Sequence, residues 1–82
     1  MMSDRDCVRV LDLLRSLGYS WEEVSRMLDS GHPGPPEWPL LARDLCVSEW
    51  AEVRERFKLI GIPWTPEGLR QWLSRSRRAD AG

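Results

Sequence analysis

The sequence predicts an all-α protein, a compact orthogonal bundle of four to five short helices with a helix-turn-helix arrangement. Apolar residues recur at steps of three and four, the spacing of a buried helix stripe. Single glycines followed within a few residues by serine or threonine separate these stripes, a pattern that marks helix ends and helix starts. No segment shows the alternation or the hairpin residues of a strand. We therefore expect one helical domain over residues 1–78 and a flexible tail at 79–82.

The first helix is predicted from near Ser3 to Leu17. Ser3 and Asp6 have the spacing of a capping box, in which each side chain accepts a hydrogen bond from the other residue's backbone N–H. Gly18 ends the helix, because glycine readily adopts the left-handed conformation needed there. The expected buried stripe consists of Cys7, Val10, Leu11, Leu14 and Leu17.

The second helix is predicted to begin directly afterwards. Ser20 is its N-cap, and Glu23 stands three residues later to complete a second capping box. The helix ends near Ser30 and Gly31. Its expected apolar face consists of Val24, Met27 and Leu28.

A proline-rich connection is predicted over residues 31–39. Four prolines and two glycines in nine residues favour a stiff, extended path. A short third helix should follow from about Pro39 to Leu45, since proline is well accommodated in a first helical turn. Leu40 and Leu41 are expected to be buried with Leu45.

The fourth helix is predicted from Ser48 to about Leu59, where Gly61 breaks it. Thr65 then caps a fifth helix, with Pro66 at the first helical position, a strong signal for a helix start. The expected buried stripes consist of Trp50, Val53, Phe57 and Ile60 in the fourth helix, and of Leu69, Trp72 and Leu73 in the fifth.

The net charge of −1 conceals a strong asymmetry. Residues 1–52 contain five basic and ten acidic residues, whereas residues 53–82 contain seven basic and three acidic ones. Eleven of the twelve basic residues are arginine, the side chain best suited to phosphate and to base edges. Sorting of charge to one end is typical of a protein that contacts nucleic acid.

The fifth helix carries the residues expected to contact DNA. At 100° per residue, one contiguous face opposite the apolar stripe consists of Arg70, Gln71, Ser74, Arg77 and Arg78, and Arg75 lies at its edge. Arginine and glutamine form bidentate hydrogen bonds to guanine and adenine in the major groove. The candidate nucleic-acid-binding residues are Arg70, Gln71, Ser74, Arg75, Arg77 and Arg78.

Residues 59–73 resemble a segment of the recombinase domain of large serine recombinases. In that family a helix ends in Gly-Ile-Pro, and a Trp-Thr-Pro step opens a helix that contacts DNA. Residues 61–63 match the first step and residues 64–66 match the second, although the family has a few residues between them. The resemblance implies a DNA-facing role for the helix after Thr65. It implies no recombination chemistry, because the catalytic serine domain is lacking.

Two functions follow from these patterns as expectations. The first is a small helix-turn-helix DNA-binding protein: a bacterial, phage or plasmid regulator of transcription, or a mobile-element accessory factor, binding double-stranded DNA as a homodimer. The second is a non-catalytic protein–protein interaction module, an adaptor or assembly factor. It would use the acidic N-terminal half together with Trp21, Glu22 and Trp64 as its partner-binding residues.

Catalysis, cofactors and metals are not expected. His32 is the only histidine and has no cysteine or carboxylate pair at ligand spacing, and the serines and threonine at helix starts are explained as caps. Cys7 and Cys46 without a secretory signal favour a cytoplasmic protein. No apolar stretch approaches the length of a membrane span, and no small-molecule substrate is indicated.

Overall fold

The computed structural model describes residues 3–30, 34–45 and 49–81, the last three of these by their backbone alone. This part of the chain is helical with no strand, so the predicted all-α bundle is confirmed. The helices are α1 (Asp4–Ser16), α2 (Trp21–Ser30), α3 (Trp38–Leu45), α4 (Trp50–Ile60) and α5 (Pro66–Ala81).

Some boundaries differ from the predicted ones. Helix α3 begins at Trp38, so the last two residues of the connection at 31–39 are helical. Pro39 is tolerated there because N–H groups in the first turn have no partner within the helix. Helix α5 continues to Ala81, beyond the domain boundary predicted at 78. Gly31 and Ser48, the predicted end of the second helix and the predicted start of the fourth, lie outside the described residues. The same is true of Gly82, His32 and Cys46.

Helix α1 has the start and the end that its sequence predicts. The Ser3 hydroxyl accepts a hydrogen bond from the Asp6 N–H at 3.3 Å, and the Asp6 carboxylate accepts one from the Ser3 N–H at 2.9 Å. At the other end, Gly18 has a φ of 99°, and its N–H donates to the Arg15 carbonyl. The Tyr19 N–H donates to the Leu14 carbonyl at 3.2 Å. This pair of bonds is a Schellman motif, which satisfies carbonyls at the helix end.

Helix α4 ends in the same way. Gly61 has a φ of 82°, and its N–H donates to the Lys58 carbonyl at 3.1 Å. The Ile62 N–H donates to the Phe57 carbonyl at 2.9 Å. Ile62 and Phe57 are both buried, so the apolar contact that accompanies a Schellman motif holds the following turn against the core.

The next helix in each case starts at the predicted cap. Before α2, the Ser20 hydroxyl accepts from the Glu23 N–H at 3.2 Å, and the Glu23 carboxylate accepts from the Ser20 N–H at 3.1 Å. Before α5, the Thr65 hydroxyl accepts from the Gly68 N–H at 3.1 Å. Local sequence therefore determines both steps from a glycine-ended helix to a capped one.

Helix α1 lies at the centre of the core and packs against each of the other four helices. Four of its side chains have no solvent exposure: Cys7, Val10, Leu11 and Leu14. The predicted stripes of the other helices are largely buried as well, with Met27, Ile60 and Trp72 only partly so. Leu17 and Leu40 are exceptions. Leu17 forms the C-cap of α1 and is 47% exposed, and Leu40 lies on the outer side of α3 and is 68% exposed, so their predicted burial was wrong.

Two tryptophans bring the described part of the proline-rich connection onto the core. The rings of Trp38 and Trp50 meet edge to face, with their centroids 5.2 Å apart. The Trp50 indole N–H donates to the Met27 carbonyl at 3.1 Å, which ties α4 to α2. Gly34 lies so close that a Cβ there would come within 2.7 Å of Trp50 Cγ. Gly34 of the connection is thus packed against Trp50.

No helix in the described ranges is both long enough and apolar enough to cross a membrane.

The turn before α5 depends on a glycine inside the helix. Gly68 is in the first turn of α5, where Pro63 packs back across the backbone. A Cβ at this position would lie 2.5 Å from Pro63 Cβ and 2.7 Å from Thr65 Oγ1. The close approach involves a rigid ring and the capping hydroxyl, and neither can move without disturbing the start of α5.

We therefore predict that Gly68→Ala destabilises the protein by about 1–3 kcal/mol through overpacking, although alanine has the higher helix propensity. Arg75→Ala, at an exposed position of the same helix, should change stability by less than about 0.5 kcal/mol. Urea unfolding followed by circular dichroism measures both. A Gly68→Ala protein as stable as the wild type would show that Pro63 is free to shift.

Candidate functional site

The six residues predicted to contact nucleic acid are all exposed along α5. On the opposite side of the helix, Leu69 and Leu73 are buried at 0% and 4% exposure. Helix α5 packs most extensively against α2 and also contacts α1. These contacts leave a continuous outer face, the α5 basic face, which consists of Arg70, Gln71, Ser74, Arg75, Arg77 and Arg78.

The start of this face carries an internal clamp. The Arg70 guanidinium makes two hydrogen bonds to Glu67, one of them from Nε to Oε2 at 3.3 Å. Gln71 Nε2 donates to Glu67 Oε1 at 3.1 Å. The Arg70 hydrogen bonds, followed by the one from Gln71, lower the pKa of the Glu67 carboxyl. One carboxylate therefore holds the first two polar side chains of the α5 basic face.

Further along the face, Arg77 reaches another helix. Its Nη2 forms a hydrogen-bonded ion pair with Asp12 Oδ1 of α1. The two side chains are 58% and 41% exposed, and pairs so open to solvent contribute only about 0–1 kcal/mol. Arg75 and Arg78 form no ion pair with any other described side chain. Among the described side chains, two arginines of this face thus have weak ion-pair partners and two have none.

A groove between α2 and α5 joins residues that the sequence had assigned to different functions. It is open to solvent, has a volume of about 500 Å³, and is called the α2–α5 groove below. Its lining consists of Trp21, Arg70, Leu73, Ser74, Arg77 and Arg78. Trp21 was predicted as a partner-binding residue, whereas the polar residues were predicted to bind nucleic acid. Gln71 and Arg75 belong to the α5 basic face but do not line the groove.

Arg15 contacts Trp21, one of the residues that line the groove, and the sequence did not predict this contact. Its guanidinium lies over the Trp21 ring, 5.1 Å from the centroid, and its Nη1 donates to the Tyr19 carbonyl at 2.8 Å. The turn at Gly18 brings the end of α1 beside the start of α2. An arginine in the last turn of a helix is ordinary, so nothing in the sequence alone marked it as the neighbour of Trp21.

The other two predicted partner residues do not line the groove. Trp64 is half-buried at the turn before α5, where its carbonyl accepts a hydrogen bond from the Ser25 hydroxyl. The Arg54 guanidinium lies over its ring, 5.3 Å from the centroid. These contacts tie α2 and α4 to the turn, a role in holding the fold together. Glu22 is exposed next to Trp21 on α2.

The described residues contain no group of three or more histidine, cysteine, aspartate or glutamate side chains able to hold a metal ion. Cys7 is a free thiol inside the core. Burial, followed by the nearby Asp4 carboxylate, raises its pKa to about 12, so the thiol is protonated at neutral pH.

Comparison of the chain with protein-family models, with curated proteins and with solved structures gave no match.

The clamp at Glu67 gives a direct prediction. Because hydrogen bonds from Arg70 are the main cause of its lowered pKa, Arg70→Ala should raise the pKa of Glu67 towards its ordinary value of 4.5. A lowered pKa in the folded state means that the clamp stabilises α5 above pH 4.5 and is lost as the pH falls through the lowered value. An NMR titration of the Glu67 carboxyl carbon measures this shift.

Arg75→Ala is the matched control, since it removes an exposed arginine of the same helix without touching Glu67. An equal pKa rise in both variants would mean that general positive charge, rather than the Arg70 hydrogen bonds, lowers the pKa of Glu67.

Proposed function

We propose that this chain is a small, non-catalytic DNA-binding protein whose helix α5 enters the major groove of double-stranded DNA. Arg70 and Gln71 would lie nearest the base edges, and Arg75, Arg77 and Arg78 would mainly contact phosphates. The observation that carries the proposal is the α5 basic face, an uninterrupted exposed row of arginine, glutamine and serine on a helix whose other side is buried.

The dimensions and charge of α5 suit this role. Its 16 residues extend about 24 Å, and the major groove is wide enough to admit a helix. Arginine contacts to phosphates release condensed counterions from DNA, a sequence-independent term that makes a large contribution to affinity. The internal partners Glu67 and Asp12 do not block such contacts, because exposed ion pairs are worth only about 0–1 kcal/mol.

Base contacts would require the Glu67 clamp to open. Arg70 and Gln71 donate to Glu67 in the free protein, so each must exchange this carboxylate for a base edge. The exchange favours a base that accepts both guanidinium hydrogen bonds, as guanine does through O6 and N7. The clamp would therefore reduce non-specific contacts more than specific ones.

The oligomeric state and the cellular role of the protein are part of this proposal. A single small module binds DNA weakly, so we propose that two copies bind as a homodimer on a site with two-fold symmetry. The protein would act in the cytoplasm as a bacterial, phage or plasmid transcription regulator of helix-turn-helix type, or as an accessory factor of a mobile element.

A second candidate is a protein-interaction module. Trp21 opens into the α2–α5 groove, and the exposed Glu22 lies beside it on α2. An amphipathic aromatic side chain next to charges of both signs is a frequent feature of protein interfaces. A protein partner would bind in the absence of DNA, and the affinity of its complex would depend more on Trp21 than on Arg75.

The DNA proposal predicts binding that weakens steeply with salt. Titration of a labelled duplex, followed by fluorescence anisotropy at several salt concentrations, gives the slope of log affinity against log salt. Arg75→Ala and Arg78→Ala should each lower affinity and reduce the magnitude of this slope by about one. The triple variant Arg70→Ala, Arg77→Ala and Arg78→Ala should lose binding.

Arg9→Ala is the matched control, because Arg9 is an exposed arginine of α1 outside the α5 basic face. It changes net charge as much as Arg75→Ala but should leave the slope unchanged. No duplex binding by the wild-type protein at low salt would refute the proposed function. An equal effect of Arg9→Ala would refute the assignment of binding to α5.

A further inference from the structure

The α2–α5 groove has features that a helix binding only to phosphates does not need. Trp21 forms part of its wall, and the buried Leu73 contributes to its lining next to Ser74. Arg70, Arg77 and Arg78 line the same space. One aromatic side chain, one apolar side chain and three arginines therefore line one open groove.

Trp21 is positioned before any ligand arrives. Arg15 lies over its ring, and a hydrogen bond to the Tyr19 carbonyl holds Arg15 in turn. The indole also packs partly against the core. The part of Trp21 that lines the groove is therefore already ordered, and it would lose little conformational freedom when a planar group packs against it.

We infer that the α2–α5 groove binds an unpaired nucleotide of the DNA, with its base against Trp21 and its phosphate on Arg77 and Arg78. The inference rests on the proposed function and extends it from paired to unpaired DNA. Stacking of bases on aromatic side chains beside a cationic path is how single-stranded DNA is generally bound. The groove volume of about 500 Å³ falls within the range of about 300–1000 Å³ typical of small-ligand pockets.

Charge complementarity favours a nucleotide over an acidic peptide. The groove, of about 500 Å³, is lined by one aromatic side chain and three arginines. One nucleotide supplies both a planar base and a phosphate that accepts bidentate arginine hydrogen bonds. An acidic peptide would have to supply the planar group and the anion from two separate side chains.

The test uses the full chain and three labelled DNA duplexes. One is fully paired, one carries a single unpaired thymidine, and one carries an abasic nucleotide at that position, which keeps the phosphate and removes the base. The wild-type protein should bind the thymidine bulge about fivefold or more tightly than the abasic bulge, the factor expected for stacking of one base. In Trp21→Leu this difference should disappear, while affinity for the paired duplex changes less than twofold.

Arg78→Gln and Arg75→Gln form a matched pair, since both residues are exposed on α5 and only Arg78 lines the groove. Arg78→Gln should weaken binding of the thymidine bulge several-fold more than Arg75→Gln does. This comparison also serves if circular dichroism shows that Trp21→Leu does not fold. Equal losses from the two arginine variants would overturn the inference.

The remaining outcomes are also decisive. Tight binding of the paired duplex with no preference for the thymidine bulge would overturn the groove inference and leave the proposed function standing. No binding of any of the three duplexes would overturn both. Displacement of the thymidine bulge by a glutamate-rich peptide containing one tryptophan, as effectively as by unlabelled bulged DNA, would assign the groove to a protein partner instead.

Discussion

The packing of helix α1 against all four other helices is the constraint on which the rest of the structure depends. Its stripe of Cys7, Val10, Leu11 and Leu14 is completely buried. No other described helix contacts all four remaining helices extensively. A domain of 82 residues has little apolar surface to bury, so it gains most by placing one helix in the middle. The large tryptophan rings then fill the space between the outer helices and fix elements that would otherwise be weakly held.

This arrangement also positions the candidate site. Leu69 and Leu73 attach α5 to α2 and α1, and the opposite side of α5 is left in solvent with its arginines. The Schellman turn at Gly18 places Arg15 over Trp21 at the start of α2, directly beside α5. The acidic and basic halves of the chain thereby meet, as in the ion pair between Asp12 and Arg77. Charge that is separated along the sequence is partly balanced in space.

The local features could be predicted because each depends on a few neighbouring residues. The boxes at Ser3 and Ser20 and the cap at Thr65 follow from hydrogen bonds that span three residues. The exposure of Leu40 was not predicted, because the spacing of apolar residues shows which side of a helix is apolar but not how much of that side the neighbouring helices cover. The clamp between Glu67 and Arg70 could have been read from its spacing of three. The partner of Arg77 could not, since 65 residues separate it from Asp12.

The sequence by itself determined the all-α class, the capped starts of α1, α2 and α5, the glycine ends of α1 and α4, and the sorting of arginines onto one side of α5. These depend on backbone hydrogen bonding, side-chain periodicity and glycine conformation, all of which act over a few residues. Only the tertiary structure decided which arginines have carboxylate partners, that Trp64 belongs to the fold, and that Trp21 shares a groove with Arg77 and Arg78. These depend on which helices pack together, and the shared burial of apolar surface by the whole chain determines that choice.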